Sequence, residues 1–309
     1  MADTLLASRR TILTGAAFAL AMPGSLAASS AAKRATVTQR LISYMPDPVS
    51  QSVTIEALVW GAGPLVVMLP SLGRAASDFD DLASRIVAAG YRVAAINPRG
   101  IGRSSGPDAS SLLDYARDIF EVIKALQHRR RHEAIEPAVL IGHAFGNRLA
   151  RAVATWHPEA VSSLILLAAG GQVELDPVVA KALRDVFEPT LSPEAHIAAV
   201  RTAFFAPNND PEVWRSGWFG TVALQQQKAL ANTATGSWNQ GGSAPIYIIQ
   251  AEQDTVAPPS NAEALRRANP QRIEVAILPQ AGHAMLPEQP DMIAQLVMAR
   301  LRLLHNARK

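Results

Sequence analysis

At positions 142–146 the chain reads Gly142, His143, Ala144, Phe145, Gly146, directly after an apolar run at 139–141 and directly before a helically periodic stretch. Small residues on both sides of a central one are what a tight strand-to-helix turn needs. The central residue is held in a strained conformation with its side chain facing the cleft beyond the strand. Farther along, Asp254 follows a strand-like run at 246–250, and His283 follows the next one, at 273–278. Strands lying side by side in that order bring the two side chains together above the sheet. A carboxylate at the imidazole Nδ1 fixes the tautomer and leaves Nε2 as a base. Such a base can deprotonate a water or a substrate directly, an effect of roughly 10² to 10⁴ in rate. Alanine has no oxygen to attack an acyl carbon, so no acyl-enzyme forms at Ala144.

The elements that must position these residues alternate in type. Strand patterns at 52–60, 65–69, 91–96, 139–141, 161–168, 246–250 and 273–278 are interleaved with helical periodicity at 77–89, 110–127, 145–156, 261–268 and 291–305. Polar and apolar residues alternate in 52–60, as on a half-buried edge strand, whereas the 65–69 run is continuously apolar. Strands alternating with helices of this length predict an α/β fold with a mainly parallel sheet covered on both faces. The interval 172–243 breaks the alternation with helical stretches at 178–187, 193–205 and 222–233, separated at Pro189, Pro193, Pro207 and Pro211. It reads as a helical lid inserted in a core made of 33–171 and 244–309. Trp214, Trp218 and Trp238 lie in it. Either they line an apolar pocket, with Trp214, Trp218 and Ser71 as candidate pocket residues, or they only dock the lid on the sheet.

Gly142-His143-Ala144-Phe145-Gly146 resembles the nucleophile elbow G-x-S-x-G of the α/β-hydrolase family. The likeness extends over nearly the whole chain after the first 32 residues. Pro70, Ser71, Leu72 and Gly73 match the loop that supplies one oxyanion donor, and 97–104 looks like the family's D-x-R-G-x-G-x-S loop, with Asn97 in place of its Asp. Asp254 in AEQDTVAPP and His283 in AGHAMLPEQP match the family's acid and histidine. The resemblance implies an α/β-hydrolase fold, catalytic roles for His283 and Asp254, and backbone N–H groups of Leu72 and Phe145 as oxyanion donors. Each such donor contributes on the order of 10² or more in rate. The departure is Ala144, which stands at the nucleophile position. His143 is expected to be a packing and hydrogen-bonding neighbour directed away from the cleft, and Arg99 with Gly100 and Gly102 to be turn chemistry rather than a phosphate site.

Two functions fit. One is a hydrolase or lyase-like enzyme acting on a small, largely apolar molecule by His–Asp general-base chemistry, with water or the substrate itself as nucleophile. The other is a non-catalytic binding protein that keeps the pocket, and Ala144 is equally what a serine enzyme altered at its elbow shows. With no cysteine in 309 residues, disulfides, thiolate nucleophiles and Cys-ligated zinc are excluded. His128, His132, His157, His196 and His305 show no metal-ligand spacing, so neither a metal nor a cofactor is expected. A net charge of +3 with no interleaving of basic clusters and aromatics argues against a nucleic-acid partner, and the basic run at 128–132 reads as a solvated loop. Nothing in the chain fixes an oligomeric state.

The first 32 residues read as an export signal. Arg9 and Arg10 precede an apolar run that extends to Met22, and small residues follow at 24–32, with cleavage expected between Ala27 and Ala32. The arginine pair resembles a twin-arginine signal. The run is about a dozen residues, short of the ~20 that cross a bilayer, so a periplasmic or secreted product with no membrane span is expected. Changing Arg9→Lys together with Arg10→Lys should leave full-length precursor in the cytoplasm on fractionation; efficient export of that variant contradicts the assignment.

Overall fold

The structure is a computed structural model describing residues 36–127, 134–171 and 173–307, so the expected export signal and the basic run at 128–132 lie outside the described residues. Eight strands form the sheet: β1 (Thr38–Tyr44), β2 (Val53–Trp60), β3 (Leu65–Leu69), β4 (Arg92–Ile96), β5 (Ala138–His143), β6 (Val161–Leu167), β7 (Ile246–Ala251) and β8 (Ile273–Leu278). Their spatial order is β1-β2-β4-β3-β5-β6-β7-β8. β2 pairs antiparallel with β1 and β4, and every later pairing is parallel. The parallel strands at the centre are wholly buried over LVVML and AVLIGH, and apolar but for Gly142 and His143 at the end of β5, as suits strands covered on both faces.

Helices α1 (Asp80–Ala88), α2 (Leu112–Gln127), α3 (Phe145–Trp156), α4 (Pro177–Asp185), α5 (Pro193–Phe204), α6 (Gly220–Ala231), α7 (Pro259–Ala268), α8 (Met285–Glu288) and α9 (Pro290–Asn306) complete the fold. In α2, Leu112, Tyr115, Ala116, Ile119, Val122, Ile123 and Leu126 recur at helical spacing and face the sheet. α2, α3 and α7 cover one face of the sheet, where Ala138, Leu140 and Leu164 sit, while α1 and α9 cover the other over Val66, Met68 and Ile141.

The edge assignment needs correction. The 52–60 strand lies inside the sheet, with most of its residues buried, because β1 adds a further antiparallel strand outside it. β1, TQRLISY, is almost fully exposed, so burial imposes no hydrophobic alternation on it and its sequence shows none.

Between β6 and β7 the chain forms a helical insertion made of α4, α5, a short 3₁₀ turn at Pro211–Trp214, and α6. Its helix starts are chemically marked. The Asp176 carboxylate accepts the Val178 N–H at 2.8 Å, Ser192 Oγ accepts the Ala195 N–H at 3.2 Å, and proline follows each cap. Ala182, Val186, Val200, Ala203, Phe204 and Trp214 pack together with Ala284, which seats the insertion beside the loop that follows β8.

The 97–104 loop is pinned by two buried polar networks. The Arg99 guanidinium, expected to be part of a turn, forms a buried two-pronged pair with Asp118 at 2.8 and 2.9 Å and donates to the Pro107 carbonyl at 2.8 Å. Asn97 explains itself against Glu56, which is 2% exposed. Asn97 Nδ2 donates to Glu56 Oε2 at 2.8 Å while its Oδ1 accepts the Ala76 N–H at 2.8 Å. An aspartate there has no hydrogen to give and sets two carboxylates against each other. Asn97→Asp should therefore destabilise the fold by about 1–3 kcal/mol at pH 7 in urea melts. The new carboxyl has a raised pKa only in the folded state, so the deficit grows as pH rises through about 4 and shrinks below it. A variant as stable as the parent at pH 7 contradicts this reading.

Candidate active site

Where β5 passes into α3, Ala144 sits at φ 50° and ψ −107°. A side chain in that left-handed region costs about 1–3 kcal/mol, so the surroundings must enforce it. They do so through the backbone. The Ala144 N–H donates to the Leu167 carbonyl at 3.0 Å, the Asn147 N–H donates to the Ala144 carbonyl at 3.1 Å, and Asn147 Nδ2 donates to the Ala168 carbonyl at 2.9 Å. The glycines on either side leave no room for a side chain. A Cβ on Gly142 lies 2.3 Å from the Gly146 carbonyl oxygen, and one on Gly146 lies 2.0 Å from that of Leu69. The pattern of small residues thus reports the tight turn expected of it, with Ala144 at its apex.

Phe145 is the first residue of α3, where N–H groups have no partner within the helix and the helix dipole presents its positive end. Neither the Phe145 N–H nor the Leu72 N–H is taken by another hydrogen bond among the described residues. Both residues line one cavity with Ser71, Ala144 and His283. Two free donors at the edge of such a cavity can hold a developing oxyanion.

Asp254 comes from the loop after β7 and His283 from the loop after β8, and their side chains meet. His283 Nδ1 lies 3.0 Å from Asp254 Oδ1 and 2.9 Å from Oδ2. Asp254 Oδ1 is fixed in turn by the N–H groups of Val256 at 2.9 Å and Ala257 at 2.7 Å. Nδ1–H donating to the carboxylate leaves Nε2 with its lone pair, and Nε2 has no hydrogen-bond partner among the described residues. The His283 backbone is clamped from below and beside. His143 Nε2 donates to the His283 carbonyl at 2.8 Å, the Ala284 N–H donates to Phe204 at 2.8 Å, and Glu288 Oε2 accepts the Gly282 N–H at 2.7 Å. His143 is fully buried, and desolvation together with the neighbouring His283 pulls its pKa down to about 3, so it stays neutral. It supports the site and does not act as its base. Glu288, which also accepts from Ala206 N–H and Asn209 Nδ2, has its carboxyl pKa raised by burial.

The cavity measures about 170 Å³, comparable with the ~150 Å³ apolar cavity that accommodates benzene. Leu183, Phe187, Phe204, Gln227 and Leu230 of the insertion form its cover. Ser71 lies in its wall, buried. Trp214 and Trp218, expected as pocket residues, do not line it. Both pack against the Arg74 guanidinium, 4.5 and 4.6 Å from the ring centres, while Arg74 pairs with Asp78 at 2.7 Å. Trp238 is likewise withdrawn, packed against Arg151 at 4.9 Å. The tryptophans dock the insertion because a large ring buries most area where it meets a cation and other rings.

This docking also fixes the loop that carries Leu72. Arg74 Nη1 donates to the Ser216 carbonyl at 2.9 Å, the Gly73 N–H donates to Gln226 Oε1 at 2.8 Å, and the Phe219 N–H donates back to the Gly73 carbonyl at 2.9 Å. Gln226 and Phe204 went unmarked in the sequence because each acts from a helix that reads as ordinary amphipathic periodicity, Phe187 follows α4, and Glu288 lies in the short α8 within AGHAMLPEQP, where the histidine carried the motif. No group of three His, Asp or Glu side chains among the described residues is placed to hold a metal ion.

Over residues 62–290 the chain matches the serine aminopeptidase S33 family. It is 24% identical over 265 residues to 2-(acetamidomethylene)succinate hydrolase of Mesorhizobium japonicum, covering 79% of this chain and 90% of that one. It is 33% identical to 1-acylglycerol-3-phosphate O-acyltransferase of Arabidopsis thaliana over 112 residues, which span 35% of this chain and 25% of that one. A thermophilic esterase from Thermogutta terrifontis superposes with a TM-score of 0.69 at 20% identity, covering 87% of this chain and 99% of that one. Because the match runs through the turn at Ala144 and both loops that carry Asp254 and His283, the chain belongs to the serine aminopeptidase S33 family within the α/β-hydrolase superfamily.

Proposed function

We propose that this chain is an exported hydrolase in which His283, oriented by Asp254, acts as a general base without a serine nucleophile on a small, largely apolar substrate. The observation that carries the reading is the dyad itself: His283 Nδ1 sits 2.9–3.0 Å from both Asp254 oxygens, with Nε2 free in the cavity that Ala144 also lines. A protein that only binds needs neither member of that pair.

In the proposed reaction Nε2 takes a proton from a water as its oxygen adds to the substrate carbonyl. The N–H groups of Leu72 and Phe145 hold the resulting oxyanion. Collapse expels the leaving group, to which the imidazolium returns the proton, so the charges balance without a covalent intermediate. The helical insertion acts as a lid, since Leu183, Phe187, Phe204 and Leu230 close the cavity with apolar surface. The Mesorhizobium japonicum relative is named as a hydrolase, which agrees with the reaction class. One observation favours a second reading: Ala144 itself, at the position where an acyl-transfer nucleophile stands, is what a binding protein of this fold would carry.

Fluorophosphonate labelling followed by intact mass distinguishes the geometries. The protein as it stands should remain unlabelled, Ala144→Ser should be labelled, and adding His283→Ala to that variant should abolish the labelling. A well-folded Ala144→Ser protein that resists the probe overturns the active-site geometry. In the unaltered protein, His283→Ala should lower turnover of small p-nitrophenyl esters by about 10²–10⁴, whereas a binding protein shows no turnover that depends on His283.

A further inference from the structure

Apart from His283, one ionisable side chain lines the cavity. Arg148 projects from α3 one turn beyond Ala144, about 6 Å along the helix axis. It makes no ion pair and no hydrogen bond with any described residue, and burial alone, unopposed by any neighbouring carboxylate, lowers its pKa from the ordinary guanidinium value. The cavity wall holds no Asp or Glu. The Arg148 head lies beside the segment that leaves β6, since a Cβ on Gly171 stands 3.5 Å from its Nη2. That places it at the same end of the sheet as the elbow.

Arg151, one turn farther on, shows what a structural arginine looks like here. It is fully buried and donates to the Asn147 side chain at 2.9 Å and to the Asn239 and Gly170 carbonyls at 3.1 and 3.3 Å. Arg151 also repels Arg148, so the two add positive potential to one side of the cavity. The partly buried Arg148 guanidinium has its donors open, and its planar fork matches a carboxylate two-point for two-point. Apart from this group, His283, Ser71 and Gln227, the cavity is built of small and apolar residues.

We propose that the cavity recognises a carboxylate: Arg148 pairs with the carboxylate at one end of a small substrate whose apolar body fills the space under Leu183, Phe187 and Leu230, with its reacting bond held between Ala144 and His283. This rests on the cavity being the substrate pocket and narrows the substrate class to small carboxylic acids that carry an ester or amide. Arg148 is then a specificity-determining residue, and its present lack of a partner is the state that the ligand completes.

Titration calorimetry with phenylacetate, its neutral isostere phenylacetamide and inorganic phosphate tests the assignment without reference to turnover. Phenylacetate should bind at least tenfold more tightly than phenylacetamide. Arg148→Gln should remove that preference while leaving phenylacetamide affinity within about twofold, Arg148→Lys should retain part of it, and His283→Ala should leave it in place. Thermal melts of Arg148→Gln should show no loss of stability, because the Arg148 side chain makes no ion pair or hydrogen bond that the substitution would break. Equal affinity for the acid and the amide overturns the carboxylate site and leaves the pocket standing. Failure of both to bind overturns the pocket as well. Phosphate binding more tightly than phenylacetate, and through Arg148, overturns the carboxylate assignment in favour of a phosphate ester.

Discussion

The positive φ of Ala144 is the constraint on which the rest of the site depends. A non-glycine residue is held there only because β6 accepts its N–H through Leu167, while Gly142 and Gly146 let strand, turn and helix approach closer than any side chain permits. The same turn ends β5 and starts α3, so it frees the Phe145 N–H at the helix start and aims the residue at position 144 into the cavity. The turn therefore supplies geometry independently of the residue's own chemistry. An alanine occupies it with no loss of the surrounding arrangement, and the strain persists at a position that has no nucleophile to present.

What the turn positions is then completed from three other places in the chain. Asp254 and His283 arrive at the ends of adjacent parallel strands, and the Asp254 carboxylate is fixed by two backbone N–H groups before it meets the imidazole. Leu72 arrives on a loop held by the insertion through Arg74, Gly73 and Gln226. The insertion also touches the histidine loop, through Phe204 on Ala284 and through Ala206 and Asn209 on Glu288. One helical layer thus braces both the loop that carries Leu72 and the loop that carries His283.

The fold was legible wherever burial dictates the residue types. A continuous apolar run located β3 to the residue, the alternation of strands and helices placed β8, and amphipathic spacing located α3 and, to within a residue or so, α5. β1 escaped because an exposed outer strand carries no burial signal, and its absence turned β2 into an apparent edge. Asp254, His283, Ala144, Leu72 and Phe145 were legible through motif and strand order, and the structure brings His283, Ala144, Leu72 and Phe145 to one cavity, with Asp254 behind His283 on its Nδ1. Trp214 and Trp218 were misplaced because their size indicates only that they are buried, not whether a cavity or a guanidinium lies beside them. Arg148 was invisible in the sequence for a related reason. An arginine on a helix reads as a solvated charge until the fold turns it into a cavity wall with no carboxylate beside it.

The central claim is that a free base faces the cavity above an elbow with no nucleophile. Its most direct test is a high-resolution crystal structure of the unaltered protein at neutral pH, read at the space between Ala144 and His283. The account predicts an ordered water about 2.6–3.2 Å from His283 Nε2, within reach of the region served by the Leu72 and Phe145 N–H groups, with Nδ1 still on Asp254. Density showing His283 Nε2 hydrogen-bonded to a protein group, or a side chain filling that space, contradicts it.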